Sequence, residues 1–164
     1  MDMENSSQHK LQKVVWTEED FENMGWHDAT IYAVSFLTNQ WELVFDIDYL
    51  VEWVSEGVAG APIEFWVAPA TLVFENVNGL KTNYEIWTGS PLTPSIMDIS
   101  RSGREYNLAG NPWEWTIELE HGGKMEFHAS GFRQFFRANP IFQKGQQLEF
   151  INRGGISFDR PTKI

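Results

Sequence analysis

Four side chains in the N-terminal third have the types and spacing to do chemistry together: His27, Asp46, Asp48 and Glu52. An imidazole beside carboxylates suits a divalent metal ion, and two acids on one strand face stand near enough to share it. Crowded carboxylates offer a second chemistry, because like charges raise one pKa and leave an acid/base pair. A plainer reading competes with both: D-x-D on a strand marks a solvated face, and structural ion networks imitate sites. These four residues are therefore the expected binding residues, and no catalytic residue is assigned.

The neighbouring pair His27-Asp28 has its own quieter explanation. At a junction entering a strand, Asp28 can accept backbone N–H bonds while Trp26 anchors the turn. Elsewhere, His121 reads as a turn residue, His128 as an outer-face residue and His9 as part of a tail. Ser130-Gly131 lacks the G-x-S-x-G context of a nucleophile elbow, and neither glycine pattern of a phosphate-binding loop occurs.

The element that must position the four residues is a hairpin. Tyr32, Val34 and Phe36 share one strand face, and Leu43, Phe45, Ile47 and Tyr49 share another. A two-residue loop at Asn39-Gln40 pairs Phe36 with Leu43, Val34 with Phe45 and Tyr32 with Ile47, apolar against apolar. A one-residue slip would set Phe36 against Glu42. The same register puts Ala33 opposite Asp46, Ile31 opposite Asp48 and His27 near Glu52, all on the polar face, with Asp28 at the opposite parity.

Around it the chain reads as short strands and turns. Residues 1–13 form a polar tail expected to be disordered, and 14–164 one β-rich domain. Thr17 caps a short helix with Asp20 at the reciprocal position and Phe21 and Met24 buried. Ile63–Val67 is a strand closed by Pro69, and Asn78-Gly79 signals a hairpin between 71–77 and 80–88. Residues 89–112 are loop-like, with a short strand at 95–100. Trp113, Trp115, Ile117 and Leu119 alternate with polar residues, and a loop at His121-Gly122-Gly123 sets Leu119 against Met125, Ile117 against Phe127 and Glu120 against Lys124. Phe132 to Phe142 reads as an irregular aromatic segment in which Arg133 and Arg137, four apart, pair with acids or bind an anion. Two short strands, 147–151 and 155–158, end the chain. The fold class expected is mainly β, α+β at most: an antiparallel sheet as a sandwich or partly closed barrel, with a short N-terminal helix.

Charge bounds the partners. Net charge is −11, and residues 1–56 carry 12 acids against Lys10 and Lys13. The remaining chain is nearly neutral, and 129–164 is basic: Arg133, Arg137, Lys144, Arg153, Arg160 and Lys163 against Glu149 and Asp159. So acidic a chain repels phosphate backbones, which argues against nucleic acid and favours a basic protein or a metal cation. No cysteine is present, so disulfides, thiolate nucleophiles and cysteine-based zinc or iron–sulfur sites are excluded. With no apolar run of spanning length, no membrane is expected, and the cytoplasm is the default location.

The stretch WHDATIY…ELVFDIDYLVEW, about 30 residues of 164, resembles the opening of a set of small uncharacterised bacterial proteins. It is similar, more loosely, to the start of immunity proteins of bacterial toxin systems, which are small, acidic and non-enzymatic. The resemblance implies a bacterial cytosolic protein without assigned catalytic residues. The leading expectation is thus a non-enzymatic binding protein whose acidic N-terminal half docks a basic protein, with no cofactor. The alternatives are a metal-binding domain or metal-assisted hydrolase using His27, Asp46 and Asp48, and a small-ligand carrier with an aromatic cavity.

Overall fold

The computed structural model describes residues 9–84, 93–103 and 113–164. Among the described residues ten strands follow in chain order: β1 (Val15–Thr17), β2 (Thr30–Leu37), β3 (Glu42–Val54), β4 (Glu64–Glu75), β5 (Asn78–Thr82), β6 (Ile96–Gly103), β7 (Trp113–Leu119), β8 (Gly123–Ala129), β9 (Gly131–Phe136) and β10 (Ile141–Gln143). One 3-10 helix, Glu18–Asn23, follows β1. All pairings are antiparallel, and the strands form two sheets in a sandwich-like arrangement that does not close.

The first sheet runs β1-β9-β4-β3-β2, with β10 beside the early half of β4; the second runs β5-β8-β7-β6. Their facing sides make an aromatic core. Phe74 meets Trp115 at 5.2 Å and Phe127 at 4.8 Å between ring centroids, and Trp115 lies edge-on to Phe132 at 5.8 Å. Such edge-to-face contacts suit the quadrupoles of aromatic rings and add to the area they bury. The sheets join at one corner, where Thr30 bridges Ser95 and the N–H groups of Asp28 and Ile31 donate to the carbonyls of Ile96 and Pro94.

The central hairpin has the expected register from Ala33 to Leu37, with Phe36 opposite Leu43 and Val34 opposite Phe45. Its loop is longer than two residues: Leu37 pairs with Glu42, and Trp41 adopts a left-handed φ of 57°. A bulge between Ile31 and Ala33 changes the other end. Ile31, not Tyr32, opposes Ile47, and Thr30, not Ile31, opposes Asp48. An extra residue in one strand turns its side chain to the other face, so Tyr32 leaves the core and joins the aspartates.

Other expectations are corrected. Pro69 does not close a strand; β4 runs through it, at the point where β9 gives way to β10 as neighbour. A missing N–H is tolerated at such a break. Asn78-Gly79 is not a hairpin turn. The chain leaves the first sheet at Asn76, whose φ is 55°, and β5 pairs with β8 in the second. The β7–β8 hairpin keeps the predicted faces, but its register differs by two: Ile117 opposes Met125, Trp115 opposes Phe127, and Leu119 opposes Gly123. Residues 131–136 are a strand, not an irregular segment, and 147–158 are turns, not strands. Of the tail expected as disordered, residues 1–8 lie outside the described residues, whereas Leu11 packs against the core and His9 bonds to Glu52. The segments 85–88, 89–92 and 104–112 also lie outside them, and the expected short strand within 89–112 is the start of β6.

Candidate functional site

Alternation along β3 divides its side chains. Leu43, Phe45, Ile47 and Tyr49 enter the core between the sheets, while Val44, Asp46, Asp48 and Leu50 face outward. The two aspartates share a face as expected, but that face is not wet: both are 0% exposed. Residues 146–160 cross it as a strap. Leu148 N–H donates to Asp48 Oδ2 at 2.8 Å and Ser157 N–H to Asp46 Oδ2 at 3.0 Å. Farther along, the Thr71 hydroxyl donates to the Asp159 carbonyl at 2.7 Å, and Arg160 grips Glu42 through two bonds of 3.1 and 2.5 Å.

Arg153 is the centre of this arrangement, with a side chain fully shielded from solvent. Its Nη1 and Nη2 donate to Asp46 Oδ2 (3.0 Å) and Oδ1 (2.6 Å), and its Nε to Asp48 Oδ1 (3.1 Å). The remaining two N–H groups reach the carbonyls of Gly155 and Ile47. A guanidinium has five N–H donors, and here all five have acceptors. The Tyr32 ring stacks on its face at 3.6 Å, and the Tyr32 hydroxyl donates to Asp48 Oδ2 at 2.9 Å. Arg137, beyond the end of β9, adds a further bond to Asp46 Oδ1 at 2.6 Å and one to Thr71 at 2.9 Å.

The electrostatics follow from burial. Desolvation pushes the Asp48 carboxyl above its ordinary value, although the Leu148 N–H, Arg153 and Tyr32 all pull it down. Tyr32 is raised well above the usual phenol value, by burial first and then by the negative charge of Asp48. Burial works against the charge on Arg153, but its bonds to Asp46 and the charges of both aspartates hold the guanidinium above its usual value. Buried charges persist when paired and fully hydrogen-bonded, which is the state of these groups.

The other two expected residues stand elsewhere. Glu52 is exposed and bonded to His9 at 3.0 Å. His27 is mostly solvent-facing, 6.1 Å from the Trp53 ring, with Nδ1 3.1 Å from Asp28 Oδ1. Asp28, at a left-handed φ of 66°, and Glu120, just past the end of β7, bring their carboxylates to His27; one donor atom from each of the three lies within 4.8 Å of the others. Trp26 does anchor the junction: it is buried, and its Nε1 donates to Gln134 Oε1 at 2.8 Å. The sequence reading missed Arg153, Tyr32 and Glu120. Arg153 lies 105 residues from Asp48 and carries no local signal.

Two further surfaces bear on binding. An apolar cavity of about 480 Å³ is lined by Ile31, Val34, Phe36, Tyr84, Leu119 and Met125 among others. On the outer face of the second sheet Asp98 and Glu118 lie in register and exposed, with Lys124 and Glu126 alongside. No helix among the described residues is long and apolar enough to cross a membrane.

Fold and site together define an antiparallel β-sandwich whose first sheet is sealed on its outer side by an ion-paired strap. No family model, curated protein or solved structure matches the chain.

Proposed function

We propose that the protein is a non-enzymatic binding module that docks a basic protein through the outer face of its β6-β7-β8 sheet. The role would be of the kind that the immunity proteins it loosely resembles perform. The observation that carries this reading is the in-register pair Asp98 and Glu118, exposed on a sheet face where Lys124 stands opposite Glu118 but bonds to Glu126 at 3.0 Å. Like charges directly opposite one another cost stability, and a cationic partner would remove that cost.

Glu42, Asp46, Asp48 and Glu75 are matched by Arg160, Arg137, Arg153 and Arg133. These pairs cancel, so the net −11 resides in the rest of the chain. Complementary charge would steer association and make it salt-sensitive. The test is binding to the protein encoded next to this one, measured at low and high salt with wild type and with Asp98→Lys/Glu118→Lys. The expected result is saturable binding that weakens at high salt and falls at least tenfold in the double variant. No binding, or binding indifferent to salt and to both substitutions, would sink the proposal.

A second reading rests on the apolar cavity, whose volume lies within the range of small-molecule pockets. An apolar ligand there would contact Phe36 and Tyr84. Titration with a panel of hydrophobic ligands, followed by tryptophan fluorescence, separates the two readings, because cavity binding would be independent of salt and of Asp98.

A further inference from the structure

We infer that His27, Asp28 and Glu120 form a binding site for a first-row divalent cation, with Zn²⁺ the best match. The three residues come from two distant stretches of chain, the link between the 3-10 helix and β2 and the turn after β7. One backbone stretch fixes their spacing. Asp28 N–H donates to the Ile96 carbonyl at 2.8 Å and Glu120 N–H to the Ser95 carbonyl at 2.9 Å. Asp28 and Glu120 are thereby held on either side of the Ser95–Ile96 stretch before any ion arrives.

The donor types and the His27–Asp28 spacing fit such an ion, with Glu120 within reach of both. His27 Nδ1 and Asp28 Oδ1 are 3.1 Å apart, and the three donor atoms lie within 4.8 Å of one another. Two donors each bound at about 2.0–2.2 Å in a tetrahedral set stand roughly 3–3.5 Å apart. One imidazole nitrogen with two carboxylates favours Zn²⁺ over Ca²⁺ or Mg²⁺, which prefer all-oxygen shells. Gln146 supplies the outer support: its Nε2 donates to Asp28 Oδ2 at 2.6 Å, leaving Oδ1 turned towards His27. Partners of this kind orient metal-binding carboxylates.

Charge balance points the same way. Asp46 and Asp48, two acids that share a buried face, are answered by Arg153 and Arg137. Among the described residues, no lysine or arginine pairs with Asp28 or Glu120. Half-exposed His27 leaves a route in from solvent, and three protein donors leave one position for water.

The test uses the full chain with any affinity tag removed and stripped of metal, titrated calorimetrically with Zn²⁺, Mn²⁺ and Ca²⁺. One Zn²⁺ per chain is expected, bound more tightly than the other two. Both His27→Ala and Glu120→Gln should weaken Zn²⁺ at least tenfold, while their metal-free melting curves stay close to wild type because His27 is exposed and Glu120, partly buried, keeps its shape as glutamine. Control variants Asp98→Asn and His128→Ala should bind as wild type does. Absence of one-to-one binding, a smaller change in either site variant, or loss in the controls instead would overturn the site. The outcome is separate from the docking surface, which uses neither His27 nor Glu120.

Discussion

A single arginine decides what the outer face of the first sheet can do. Arg153 engages both carboxyls of the D-x-D pair, so the oxygens that a metal or a proton-transfer step would need already accept N–H and O–H bonds. Removing one partner of a buried ion pair leaves the other charge uncompensated, at a cost of about 3–5 kcal/mol. Arg153→Met and Asp46→Asn are expected to lose that much in urea denaturation. Asp46 accepts four N–H donors, from Arg137, Arg153 twice and Ser157. Asp48→Asn should cost less, since burial already disfavours the ionised form of Asp48. The pH dependence has a definite sign. A carboxyl raised in the fold binds its proton before its unfolded counterpart as pH falls. Its contribution to stability is complete below the ordinary carboxylate range and is lost as pH rises through the raised value. The stability of wild type relative to Asp48→Asn should therefore grow as pH is lowered through that window, read from urea midpoints; a difference that shrinks would contradict the assignment.

At the scale of elements, what alternation encodes was legible and what it does not encode was not. The faces of β2, β3, β7 and β8 follow from a period of two, and the one-residue slip that would bury Glu42 is excluded by the same pattern. A slip of two leaves every face unchanged, so nothing in the alternation of Trp113 to Leu119 could choose between Phe127 and Met125 as the partner of Ile117. The bulge at Tyr32 was invisible for a related reason: an aromatic ring with a hydroxyl suits either a core or a buried polar network. Asn78-Gly79 has turn chemistry, but the adjoining strands belong to different sheets. The strap was the largest omission. It contains no regular strand and is held by side chains of β3 and β4, so only the fold brings its residues to the acids. Its apolar anchor is Leu148, buried with Leu50, Phe65 and Val67. Leu148→Ala is expected to destabilise the protein by about 2–5 kcal/mol, the usual cost of such a truncation, as read by thermal or urea unfolding.

For the whole molecule, part of the charge asymmetry of the sequence is an internal match: Glu42, Asp46 and Asp48 meet C-terminal arginines. The basic C-terminal part lies across the acidic hairpin, with Arg160 at Glu42 and Arg153 at Asp46 and Asp48. The strap thereby covers the outer face of one sheet and leaves that of the other to solvent. The Asp98 and Glu118 pair on that second sheet is what the proposed docking uses, and the His27-Asp28-Glu120 group sits against the corner where the sheets join. Screening distinguishes the two kinds of charge. Exposed pairs lose their influence as salt rises whereas buried ones lose little, so partner binding should fall with salt while the unfolding midpoint of the free protein barely moves.

The central claim is that residues 146–160 are a fixed part of the fold, seated on buried aspartates. Amide hydrogen exchange reads this directly, because the N–H groups of Leu148 and Ser157 donate to Asp48 and Asp46 although neither belongs to a strand. Both amides are expected to be protected to a degree comparable with the centre of β3. Exchange of both at the rate of an open chain would contradict it.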